Sequence, residues 1–145
     1  LRPCAAAWPK VRMVIEPINR YETELINTVA SGLAFLDRIG ADNVGLLLDT
    51  FHMNIEEASF QQSIQMAGER IFHFHVADSN RWYPGAGRIP FADILYCLQQ
   101  ADYRGFVSAE ILPQPDPDTA ARETIEYFKK LQLVSELGNS NRYRR

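Results

Sequence analysis

The chain has 145 residues, of which 46% are hydrophobic and 23% charged, the make-up of one globular domain. No apolar run reaches the roughly 18 residues a transmembrane helix needs, and a net charge of −3 argues against a nucleic-acid partner. Two distant cysteines, Cys4 and Cys97, exclude a disulfide framework and fit a reducing, cytoplasmic setting.

The first residues, Leu1-Arg2-Pro3-Cys4-Ala5, carry neither an initiator Met nor a signal pattern and read as an internal piece that begins inside a helix. Residues 11–15 (VRMVI) form the first apolar run and predict a strand. Leu25, Ile26, Val29, Leu33 and Leu36 then follow helical spacing, with Thr23 as the expected N-cap and Gly40 just past the end. Residues 44–48 predict a second strand, and Phe60, Ile64 and Ala67 a second helix closed by Gly68. Residues 71–76 predict the third strand, followed by a helix carrying Phe91, Ile94, Leu95 and Leu98. After a fourth run at residues 106–109, Asp116-Pro117 opens the last helix, whose apolar positions are Ile125, Phe128 and Leu131. Residues 132–145, ending in Arg142-Tyr143-Arg144-Arg145, are expected to be a flexible basic tail. Both cysteines lie on helical patterns and are expected to be buried and inert.

Four strands alternating with helices define an α/β fold with a parallel sheet, and the continuous apolar runs suit strands covered on both faces. No GxGxxG or GxxxxGK[ST] follows the first strand, which weakens the nucleotide-binding version of an open sheet. A complete (β/α)8 barrel needs eight strands and about 250 residues, so residues 1–131 suffice for half of one.

Each predicted strand runs into an ionisable residue at its C-terminal end: Glu16, Asp49, His75 and Glu110. The intervals of 33 (49 − 16), 26 (75 − 49) and 35 (110 − 75) residues are each about one βα unit. In a barrel those ends converge on the active-site face, where three carboxylates repel one another unless a cation sits among them. Acidic residues also end strands merely to cap the next helix, but four in register favour the metal. Three oxygen ligands and one imidazole, without a thiolate, suit one divalent ion: Mn²⁺ first, with Mg²⁺ or Co²⁺ as alternatives.

Glu16-Pro17-Ile18-Asn19-Arg20-Tyr21-Glu22, the stretch Leu48-Asp49-Thr50-Phe51-His52-Met53-Asn54-Ile55-Glu56-Glu57, and His73-Phe74-His75-Val76-Ala77-Asp78-Ser79-Asn80-Arg81 resemble the xylose-isomerase-like TIM-barrel family. Within it they are most similar to ketose 3-epimerases of the D-tagatose and D-psicose type. The Pro84-Gly85-x-Gly87-Arg88-x-Pro90 loop and Ser108-Ala109-Glu110 fit as well, whereas residues 111–118 (ILPQPDPD) are closer to a neighbouring subgroup. The resemblance implies the C-terminal half of a (β/α)8 barrel, with Glu16, Asp49, His75 and Glu110 as metal ligands. It also implies that Glu22, His52 and Arg81 contact substrate, a small ketose or keto-sugar acid.

The chemistry that follows is proton transfer at carbon beside a carbonyl, through an enediolate. Glu16 and Glu110, on well-separated strands, are the candidate acid and base, one on each side of the sugar. His52, in the loop beyond Asp49, either donates a hydrogen bond to substrate or orients a carboxylate. His73 is expected one layer deeper as a hydrogen-bonded core histidine. Other readings are an endonuclease-IV-like phosphodiesterase, which calls for more His and Asp ligands, and a truncated, inactive half-barrel. The expected assembly is a homo-oligomer, or pairing through exposed strand edges if the barrel is only half present.

Overall fold

The computed structural model describes the backbone of residues 1–142 and the side chains of residues 1–131. In chain order the elements are α1 (Arg2–Ala7), β1 (Met13–Ile15), α2 (Val29–Ile39), β2 (Val44–Asp49), α3 (Thr50–Glu56), α4 (Phe60–Ala67), β3 (Ile71–Val76), α5 (Phe91–Gln100), β4 (Val107–Ala109) and α6 (Pro117–Arg142). The strands form one parallel sheet in the order β1-β2-β3-β4. Sequential order with a helical connection between neighbours is what a segment of a (β/α)8 barrel shows. The side chains of the expected basic tail, and its last three residues, lie outside the described residues.

The core forms where the apolar helix faces meet the sheet. Val29, Leu36 and Ile39 of α2, Ile64 and Ala67 of α4, and Phe91, Ile94 and Leu98 of α5 are buried against Val44, Leu46, Leu48, Phe74 and Val76. Every residue of β2 is buried, as a central parallel strand requires. Phe91, Tyr127 and Phe128 pack edge to face, with ring centroids about 6 Å apart, and dock α6 on α5.

The helix α2 starts later than its hydrophobic spacing predicts. Thr28, not Thr23, is the N-cap: its hydroxyl accepts the Ser31 N–H at 3.2 Å in a capping box. Residues 19–27 instead form a folded loop. Asn27 donates to the carbonyls of Ile18 (2.6 Å) and Thr23 (2.8 Å), and Arg20 makes a two-pronged pair with Glu56 at 2.9 Å. These bonds satisfy backbone groups a helix would otherwise use, and Leu25 is left 88% exposed. Gly40 ends α2 with φ 61°, the left-handed conformation expected of a glycine there.

Two other expectations are corrected. Residues 50–56 are the helix α3, capped by Asp49, where a loop was expected, so His52 is helical. Cys4 is exposed because its helix, α1, buries only Ala5; Cys97 is buried on α5 as expected.

Candidate metal centre

The strand ends place the four ionisable residues side by side. Asp49 closes β2 and pairs in register with His75 of β3. Glu110 follows β4, and its N–H donates to Val76 O at 3.2 Å, continuing the ladder. Glu16 follows β1. One donor atom from each of Glu16, Asp49, His75 and Glu110 lies within 4.8 Å of the others.

The donors are arranged for a cation rather than for one another. His75 Nδ1 stands 2.7 Å from Glu110 Oε2 and 3.9 Å from Asp49 Oδ2, yet it makes no aligned hydrogen bond. Glu16 Oε1 and Asp49 Oδ2 are likewise buried without a hydrogen-bond partner. Asp49 Oδ1 accepts the Phe51 N–H at 2.6 Å, so capping α3 turns Oδ2 into the cluster. Three buried orphans aimed at one space are costly unless something fills it. Ligands on opposite sides of one oxygen-liking divalent ion, bonded at roughly 2.1–2.5 Å, stand about 4.2–5 Å apart, so the donor set fits such an ion.

The electrostatics agree. Burial, then the neighbouring Asp49 and Glu110 carboxylates, push Glu16 up to about 7 from its ordinary 4.5. Asp49 is also raised, chiefly by burial. A carboxyl raised in the folded state is still protonated where the unfolded chain is ionised, so it makes stability fall as pH rises through that window. Metal-free protein should therefore lose thermal stability between about pH 5 and 7, and Mn²⁺ should raise Tm more at pH 7 than at pH 5. A melting-temperature series with and without the ion checks this; equal Mn²⁺ shifts at both pH values would contradict it.

The three expected substrate contacts lie around the same cluster. His52 is 3% exposed, with Nε2 3.9 Å from Glu16 Oε1. Arg81 bridges two loops, its guanidinium 3.2 Å from Glu22 Oε1 and 3.5 Å from Glu110 Oε1. It also sits 5.0 Å above the Phe51 ring. Its φ of 61° is unusual for a residue with a side chain and is held by bonds at both ends. Arg81 N–H donates to Asp78 O at 2.7 Å, and Arg81 O accepts the Leu112 N–H at 2.7 Å. His73 lies one layer down, hydrogen-bonded to Ser108 Oγ at 2.7 Å.

Two residues of this face were not singled out in the sequence. Asp78 is fully buried; its oxygens accept N–H groups of Ser79 (2.7 Å), Gly85 (2.8 Å) and Ile89 (3.1 Å). Burial pushes its carboxyl upward, but these bonds and one from Gly87 hold it below the ordinary range. A Cβ on Gly87 would overlap the Asp78 carboxylate, so only glycine permits that approach. The glycine-rich PGAGRIP run was the available signal, since such a loop needs an acceptor at its centre. The other residue, Asn19, joins His52 to Glu22 and had no signal beyond its place in the first motif.

The Xylose isomerase-like TIM barrel family matches residues 1–131. D-psicose 3-epimerase of Agrobacterium fabrum is 46% identical over 100 residues, which are 69% of this chain and 35% of that protein. L-ribulose 3-epimerase of a Methylomonas species is 39% identical over 126 residues, 87% of this chain and 44% of that protein. A solved L-ribulose 3-epimerase superposes with a TM-score of 0.84 at 31% identity, covering 94% of this chain and 54% of that one. The chain thus spans less than half the length of these curated relatives. With four sequential parallel strands, and a match running through all of them, the chain belongs to the Xylose isomerase-like TIM barrel family.

Proposed function

We propose that residues 1–131 are the C-terminal half of a (β/α)8 barrel whose completed site epimerises or isomerises a small ketose or keto-sugar acid. One observation carries this reading: glutamates from the two outermost strands, Glu16 and Glu110, reach the same donor cluster from opposite ends of the sheet. A substrate above the cluster would have one carboxyl on each side. The names of the relatives, D-psicose and L-ribulose 3-epimerases, support the same class of substrate.

Glu16, Asp49, His75 and Glu110 would hold one divalent ion, Mn²⁺ preferred, which when bound supplies Lewis-acid stabilisation of negative charge on substrate oxygens. A carboxylate that binds the ion through one oxygen keeps a second to take or return a proton; in Glu110 one oxygen faces His75 and the other Arg81. Glu16 and Glu110, from the two edges of the sheet, are the acid and base, one on each side of the substrate. Glu22 and Arg81 pair with each other and would turn to sugar hydroxyls, while His52 would donate from Nε2. Among the described residues there is one such cluster, with a single imidazole, a poor match to a multi-zinc phosphodiesterase.

The test is to incubate metal-loaded full-length protein with ketoses and follow the C3 epimer and the aldose. Epimer or aldose formation that stops with a chelator is the expected result; no conversion of any ketose sinks the reading. The ligand and substrate groups should also separate. His52→Ala or Arg81→Ala should lower kcat/KM about tenfold or more, the size of one lost substrate hydrogen bond, with metal content intact. Metal loss in either variant, by elemental analysis, would move that residue into the support of the ion.

A further inference from the structure

We propose that Asn19 is a positioning residue that holds the His52 ring with its proton on Nε2, the nitrogen that faces Glu16 of the cluster. The catalytic part of this inference rests on the ketose reading above; the tautomer does not. Asn19 is 1% exposed, in the loop after β1, opposite the start of α3. Its backbone N–H lies 3.3 Å from His52 Nδ1, and its side-chain Nδ2 lies 2.8 Å from the same nitrogen. A backbone N–H is only a donor, so Nδ1 must accept. In a neutral imidazole the remaining proton then sits on Nε2.

The orientation of the Asn19 amide is fixed independently. Its Oδ1 accepts the Tyr21 N–H at 2.9 Å, and its Nδ2 donates to Glu22 Oε1 at 2.8 Å. The flipped amide would set an oxygen against the Glu22 carboxylate and an NH₂ against the Tyr21 N–H. Each contact therefore demands the same amide orientation. One buried side chain thereby orients two residues proposed to meet substrate, fixing both the proton on His52 and the place of Glu22.

The tautomer can be read directly. In full-length protein loaded with diamagnetic Mg²⁺ and carrying ¹⁵N-labelled histidine, long-range ¹H–¹⁵N spectra distinguish a protonated ring nitrogen from a bare one, and His52→Gln assigns the signals. The bare nitrogen of His52 should be Nδ1; a bare Nε2 overturns the proposal without needing any variant. Asn19→Asp replaces the side-chain donor by an acceptor while the backbone N–H stays, so the two compete for Nδ1; mixed His52 tautomers are expected, with kcat falling about tenfold or more. Asn19→Ala keeps the backbone donor and should leave Nδ1 bare, with a smaller loss. An unchanged His52 spectrum in Asn19→Asp overturns the positioning role. Absence of ketose turnover in the unsubstituted protein would instead defeat the functional reading and leave the tautomer result standing.

Discussion

Glu110→Gln in the full-length enzyme is expected to lower turnover by about 10²–10⁴-fold, the usual worth of a general base. The amide keeps the shape and one oxygen for His75's neighbourhood, where Oε2 now stands 2.7 Å from Nδ1, but cannot accept a proton. The fold should survive, because Glu110 is exposed and its side chain supports no core contact. The unsubstituted enzyme, turning over a ketose in D₂O, should place deuterium at the carbon that is epimerised or isomerised. Product that retains its original hydrogen at every level of conversion would indicate hydride transfer and remove the two-glutamate scheme.

The largest expected effect on stability belongs to Asp78. Asp78→Ala leaves three N–H groups without their acceptor: that of Ile89 in a buried setting, those of Ser79 and Gly85 in a part-buried one. At about 1–3 kcal/mol for each unpaired group, the loss should reach roughly 4 kcal/mol, a large part of a typical domain's stability. The same loop carries Arg81, so activity should fall even in molecules that remain folded. Urea denaturation measures the first effect; a loss below about 1 kcal/mol would mean that water replaces the carboxylate and the loop holds itself together.

The four strands and the four cluster residues were legible because parallel strands leave continuous apolar runs, and each run here ends at an ionisable residue. Helix periodicity found α4 and α5 equally well. It failed at residues 23–27, where Leu25 and Ile26 match the spacing but the Asn27 side chain captures backbone carbonyls instead. The helix α3 was hidden for a related reason: Asp49 has both a cluster role and a capping role, and only the first leaves a trace in strand spacing. Asn19 acts through a hydrogen bond to a side chain 33 residues away, which no local pattern encodes, whereas Asp78 leaves a trace only in the glycine-rich run that wraps it.

The spacing of the cluster has a kinetic corollary. Its donors come from four successive βα units, the last 94 positions (110 − 16) beyond the first. No partly assembled chain offers the whole set, so an ion held there gains its affinity only after the last unit has docked. Stabilisation that arrives so late is absent from the folding transition state; it slows escape from the native state and leaves the rate of reaching it nearly unchanged. An ion in this place is a latch rather than a nucleus.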